Sequence, residues 1–142
     1  MMNRKGKMGR RAARELIFKY LFEADMNKNT EFKKELYTER EETSELKENQ
    51  HKYIMDSLEG VFMNLLEIDR FLSEKMETWN LERVGHVERA LLRFAVYELK
   101  YSDMGTEIIV NEAVELAKKY GEEKSGEFIN GVLAILVKNI RN

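Results

Sequence analysis

Apolar side chains recur at intervals of three and four residues along most of this chain, which is the spacing of one face of an α-helix. The pattern predicts helices over about 9–25, 50–77, 86–101 and 106–120, and a last helix from 125 towards the end. The acid-rich stretch 31–48 offers only four large apolar side chains, so we expect a short and mostly solvated helix there. No segment alternates for long between apolar and polar residues as a strand would.

Local signals refine these helices. The pattern over 50–77 is long enough that we expect a break near Ile68 and Asp69. Thr106 and Ser125 each stand at a helix start and are predicted N-caps, while Gly121 is predicted just after a helix end. The helix over 86–101 is apolar on almost every side, which indicates a central place in the core. We expect two subbundles joined near 77–83.

Composition supports this pattern and removes several kinds of chemistry. The chain has 142 residues, 43% of them hydrophobic, and contains neither proline nor cysteine. Together with the helical pattern, this composition predicts one compact all-α domain over 1–142, with about six to seven helices in two subbundles. Disulfides, thiolate metal sites and cysteine nucleophiles are excluded. The two histidines are far apart, and the glycines match no phosphate-binding loop, so we expect no metal, no cofactor and no enzymatic activity.

The formal net charge of −2 conceals a strong asymmetry. Residues 4–14 carry six basic side chains and no acidic one, so a segment of charge +6 precedes a body of charge −8. Such a basic terminus indicates a contact with nucleic acid or with a membrane surface, although a solvated, disordered tail is the simpler alternative. The apolar run that follows is interrupted by charge and is too short for a signal or a membrane span. We therefore expect a cytoplasmic protein with no membrane contact.

The basic side chains at the start of the first helix are the strongest functional signal. The candidate RNA-binding residues are Lys7, Arg10, Arg11 and Arg14. Helical spacing places Lys7, Arg11 and Arg14 on one face, which Phe18 continues with an aromatic ring. Guanidinium groups bind phosphates, and both guanidinium and aromatic planes stack on unpaired bases. The arrangement suits single-stranded RNA better than duplex DNA, because no helix-turn-helix or dimeric basic helix is evident.

Four segments together resemble a known family. They are Arg-Arg-Ala-Ala-Arg-Glu at 10–15, Val-Glu-Arg-Ala-Leu-Leu-Arg-Phe-Ala-Val-Tyr-Glu-Leu at 87–99, Val-Asn-Glu-Ala-Val-Glu-Leu-Ala-Lys-Lys-Tyr-Gly at 110–121 and Phe-Ile-Asn-Gly-Val-Leu at 128–133. Their order and spacing resemble the bacterial NusB family of transcription antitermination factors. The resemblance implies a non-catalytic, all-helical protein that binds boxA RNA together with a small-subunit ribosomal protein acting as Nus factor E. It also implies that this complex joins elongating RNA polymerase and promotes transcription of ribosomal RNA operons.

The resemblance also assigns individual residues. Arg10, Arg11 and Arg14 fall in the family's arginine-rich RNA-binding motif, and Phe128 matches an aromatic residue implicated in RNA contact. The residues that match positions near the RNA and partner surface, and that we take as partner-binding, are Glu82, Glu88 and Arg93. The chain departs from the family pattern at two places, with Lys124 where Asp is frequent and Glu127 where Lys is frequent. These reversed charges put RNA contact around Phe128 in doubt.

Two other classes of function stay open from the sequence. The same fold occurs as the amino-terminal domain of certain ribosomal RNA cytosine methyltransferases, but we expect no such enzyme because no methyl-donor domain follows and no cysteine is present. A helical module that binds anionic membranes is the other class. It is disfavoured because a core stripe, and no free amphipathic face, follows Arg14. A surface meant for a protein partner is equally compatible with a homodimer of the free protein.

Overall fold

The computed structural model describes residues 2–38, 46–76 and 80–141, and of residues 2–9 it gives the backbone alone. All regular structure in these residues is helical, which confirms the all-α prediction. The helices are α1 (Met2–Met26), α2 (Lys34–Thr38), α3 (Glu48–Met63), α4 (Leu65–Lys75), a 3-10 helix (Leu81–Arg83), α5 (His86–Tyr101), α6 (Thr106–Tyr120) and α7 (Ser125–Ile140). None of these described helices is long and apolar enough to cross a membrane.

The chain forms two compact units, and the first comprises residues 1–63. Its core is the contact between α1 and α3, where the apolar stripe of each helix is buried. Tyr20 of α1 also fixes the segment that follows the helix. Its ring lies edge-on to Phe32 at 5.4 Å, and its hydroxyl accepts a hydrogen bond from the backbone N–H of Lys33 and donates one to the carbonyl of the same residue, both at 3.0 Å.

The second unit comprises residues 64–142 and is built around α5. This helix packs against α4, α6 and α7, and eight of its sixteen residues are buried. The sequence prediction of a central helix over 86–101 is confirmed, including both of its ends. The physical reason is that a helix with apolar residues on nearly all sides is stable only when other helices surround it.

The boundary between the units differs from the prediction. The segment predicted as one long pattern over 50–77 contains two helices, α3 and α4. The helical structure is interrupted at Asn64 instead of near Ile68 and Asp69. The units divide at this break, between Met63 and Asn64, and not near 77–83, of which 77–79 lie outside the described residues. The reason is that α4 packs on α5 and on the 3-10 helix, so it belongs with the carboxyl-terminal helices.

Three predicted helix ends also need correction. Helix α1 begins at Met2 instead of near residue 9. Thr106 and Ser125 are the first residues of α6 and α7, and the N-cap positions belong to Gly105 and Lys124, neither of which makes a side-chain capping bond. Both hydroxyls have other partners, since that of Thr106 accepts from Arg141 and that of Ser125 accepts from the N–H of Glu122.

Candidate RNA-binding surface

One of the two exposed arginines of α1 lies against a tyrosine of α3. Arg10 and Arg11 are both exposed, in the part of α1 that precedes its buried stripe. The guanidinium carbon of Arg10 lies 4.5 Å from the centroid of the Tyr53 ring, a cation–π contact. Lys52 precedes Tyr53, and its ammonium group lies 2.8 Å from the carboxylate of Asp56. The hydrogen bond with Asp56 and the charge of its carboxylate raise the pKa of Lys52.

Arg14 lies in the interior of the first unit, contrary to its predicted place on a phosphate-binding face. Its side chain is only 3% exposed, and its Nη1 donates a hydrogen bond to the Tyr53 hydroxyl at 3.0 Å. Phe18 is 1% exposed and stacks on Phe22 at 5.9 Å, so it cannot offer its face to a base. Both corrections have one cause: the buried stripe of α1 is wide enough to include positions 14 and 18.

The remaining predicted RNA-binding residues have different environments. The backbone of Lys7 lies in α1, and its side chain is outside the described part of the chain. Phe128 is half-buried in the first turns of α7, and its N–H donates to the carbonyl of Lys124 at 3.0 Å. Lys124 and Glu127, the two departures from the family pattern, are both exposed. A charge at either position therefore faces solvent.

Glu88 and Arg93 each bind another helix of the second unit. The carboxylate of Glu88 accepts a hydrogen bond from the hydroxyl of Ser125, which joins the start of α5 to the start of α7. Arg93 forms a bidentate ion pair with Asp69 of α4, with Nε and Nη2 each 2.8 Å from a carboxylate oxygen. These side chains hold the unit together in addition to any role towards a partner.

Two of the three predicted partner-binding residues, Glu88 and Arg93, lie on different sides of α5. Arg93 follows Glu88 by five positions, which turns their side chains about 140° apart around the axis of α5. Glu82 is exposed on the 3-10 helix, where its N–H donates to the side chain of Asn80 at 2.9 Å. Of the three, Glu82 is the one whose side chain the structure shows exposed to solvent.

Comparisons with known proteins assign the chain to a family. The model of the NusB family matches residues 11–138. The chain belongs to the NusB family. The transcription antitermination protein NusB of a Nitratiruptor species is 41% identical over 133 residues, which are 94% of each chain.

Solved structures of the NusB family have the same fold. A crystal structure of T. maritima NusB is similar with a TM-score of 0.84 and 34% identity, over 94% of this chain and 93% of that one. A second similar chain comes from a crystal structure of the antitermination factors NusB and NusE in complex with double-stranded RNA. Its TM-score is 0.81, with 30% identity over 93% of this chain and 98% of that chain. The all-helical fold of this chain is therefore that of the NusB family.

Two residues of these surfaces were not predicted from the sequence. Tyr53 lies next to the apolar stripe of α3 in sequence, and a tyrosine at such a position is usually a residue at the edge of the hydrophobic core. Asp69 is one of many carboxylates on charged helices, and nothing in its spacing links it to Arg93. Both contacts join residues that are distant in sequence, so helical periodicity carries no information about them.

Proposed function

We propose that this protein is an RNA-binding transcription antitermination factor. It binds boxA RNA together with the small-subunit ribosomal protein that acts as Nus factor E, and it acts by binding, without catalysis. The observation that carries this proposal is the exposed pair Arg10 and Arg11 in a chain of the NusB family. The similar chain that was crystallised with NusE and RNA supports it.

The RNA surface consists of Arg10 and Arg11, with Lys7 earlier on the same helix. Each arginine presents a planar fork of N–H donors that fits a phosphate, and RNA supplies a phosphate at every nucleotide. Phe128 supplies an aromatic ring for an unpaired base, at the start of a helix whose partial positive charge attracts a phosphate. Phe128 is half-buried and belongs to the second unit, so we propose it as a contact of its own.

A salt titration with a boxA oligonucleotide tests this surface. The double variant Arg10→Ala/Arg11→Ala should weaken binding and lower the slope of log K against log salt by about 1.4, which corresponds to two phosphate contacts on a single strand. The matched control Lys34→Ala/Lys138→Ala removes two exposed cations elsewhere and should leave the slope unchanged. An unchanged slope in the arginine variant would reject the site, and a wild-type protein that does not bind would reject the function.

The partner surface includes Glu82, whose exposed carboxylate belongs to the acidic body of the chain. Acidic groups attract a basic ribosomal protein and exclude competing acidic ones. Glu82→Lys should therefore reduce co-purification with the ribosomal protein more than Glu59→Lys does. Glu59 is an exposed residue of α3, and its replacement by lysine reverses the charge in the same way. Equal retention by both variants would remove Glu82 from the partner surface.

The complete assembly acts in the cytoplasm on elongating RNA polymerase. Transcription in vitro through a terminator placed after boxA should show greater readthrough when this protein and the ribosomal protein are both present. Light scattering of the free protein, with and without the ribosomal protein, measures whether a homodimer forms and whether the partner replaces it. Readthrough that is independent of boxA would contradict the RNA-directed part of this proposal.

A further inference from the structure

Tyr53 contacts two arginines of α1 through different parts of its side chain. Its hydroxyl accepts a hydrogen bond from the buried Arg14 at 3.0 Å, and its ring lies beneath the exposed Arg10 at 4.5 Å. Tyr53 itself is half-buried on α3, which packs against α1. We call these three side chains the Tyr53 cluster. It runs from the interior of the first unit to its surface.

The two contacts have different physical effects. The hydrogen bond from Arg14 holds the hydroxyl end of the tyrosine, and a ring held at its far end has a defined orientation. A cation–π contact then holds Arg10 through the face of the ring. Such a contact uses none of the five N–H donors of a guanidinium group, so it leaves them available for a ligand.

We propose that Tyr53 is a positioning residue of the RNA-binding surface, which holds Arg10 so that its N–H fork meets an RNA phosphate. Arg14 acts through the Tyr53 hydroxyl and does not touch RNA. This inference rests on the proposed function. It explains why an arginine-rich helix buries one of its arginines: the interior arginine orients the tyrosine that orients the exposed arginine. A side chain held in its binding conformation loses less conformational entropy when RNA binds.

Binding of a single-stranded boxA oligonucleotide, measured by fluorescence anisotropy over a series of salt concentrations, tests the proposal. Tyr53→Leu removes the ring and should weaken binding about three- to tenfold, with a salt slope lower by up to about 0.7. Tyr53→Phe keeps the ring and should stay within about twofold of the wild type. Near-wild-type affinity in Tyr53→Phe, beside weakened affinity in Tyr53→Leu, would show that the aromatic ring itself is needed for binding.

A double-mutant cycle separates positioning from general packing. If Tyr53 acts on RNA through Arg10, the variant Arg10→Ala/Tyr53→Leu should bind within about twofold of Arg10→Ala alone. Tyr101→Leu, which removes an exposed tyrosine ring from the second unit, is the control and should bind as the wild type does. If the fold-losses in affinity of the two single variants multiply in the double variant, the two residues act independently and the proposal is overturned.

Thermal unfolding of each variant shows whether it is folded. If Tyr53→Leu does not fold, Tyr53→Met supplies an unbranched side chain that adapts to an irregular space without a ring, and it should show the same loss of binding. Wild-type affinity in a folded Tyr53→Leu or Tyr53→Met variant would overturn the positioning role while the proposed function stands. A wild-type protein that does not bind the oligonucleotide would overturn both.

Discussion

The most informative test of the fold concerns Arg141, which follows the last residue of α7. Its guanidinium group closes the turn between α5 and α6 with a set of hydrogen bonds. The acceptors are the carbonyls of Glu98 (3.2 Å), Leu99 (3.0 Å), Ser102 (2.8 Å) and Met104 (2.5 Å) and the hydroxyl of Thr106 (3.1 Å). One side chain therefore binds the end of α5, the turn and the start of α6 to the end of α7.

The expected cost of Arg141→Ala follows from what happens to these acceptors. The carbonyl of Glu98 keeps two other donors, the N–H and the hydroxyl of Ser102, so it loses little. The other carbonyls lose a charged donor, and a charged hydrogen bond is worth about 1.5–3 kcal/mol when water cannot replace it. Arg141 is half-exposed and water can rehydrate part of the turn, which reduces the expected sum to about 2–4 kcal/mol.

Lysine distinguishes the geometry of this contact from its charge. The ammonium group of Arg141→Lys carries three donors on one atom and cannot reach acceptors on both sides of the turn. We expect it to recover about half of the lost free energy of unfolding, because the charge near the end of α5 is kept. Alanine and lysine variants that are equally unstable would show that the planar fork matters and the charge does not.

Urea unfolding followed by circular dichroism measures these free energies. Lys138→Ala, which removes an exposed cation from the last turn of α7, is the control and should change the free energy of unfolding by less than about 0.5 kcal/mol. A loss below about 0.5 kcal/mol in Arg141→Ala would refute the reasoning, because it would mean that water satisfies the turn as well as the guanidinium group does.

Three further predictions concern other contacts. A double-mutant cycle of Arg93→Ala and Asp69→Ala, measured by urea unfolding, should give a coupling free energy of about 1–2 kcal/mol, and additive effects would contradict it. Gly121→Ala should lower the unfolding temperature by several degrees in a thermal scan, because its Cβ would lie 2.8 Å from the Ala117 carbonyl oxygen; an unchanged temperature would mean that the backbone shifts freely. Burial raises the pKa of Tyr37 above its ordinary 10.0, so its contribution to stability is present below pH 10 and is lost as pH rises through the folded-state pKa. Tyr37→Phe should flatten that pH dependence in denaturant titrations, and an unaltered profile would assign it to another group.

Most of the fold follows from helical periodicity, and the exceptions have a common physical origin. The sequence predicts both ends of α5 and α6 and the start of α7 to within about one residue, because glycine or short polar side chains lie at these positions. The break at Asn64 was misplaced because Val61, Leu65 and Ile68 keep a helical spacing across it. Periodicity reports which residues face a core, and it does not report that two successive helices face different cores.

The same limit applies to the proposed RNA-binding surface. The sequence alone does not distinguish Arg10, Arg11 and Arg14 within the basic motif. In the structure Arg10 and Arg11 are exposed and Arg14 is buried. What separates them is the partner helix: α3 places Tyr53 against α1, where it accepts a hydrogen bond from Arg14 and carries Arg10 on its ring. The count of six basic residues therefore includes Arg14, which is buried in the first unit. Because Arg14 is enclosed by protein, replacing it should weaken RNA binding through stability and side-chain position, with a smaller effect on the salt slope than replacing Arg10.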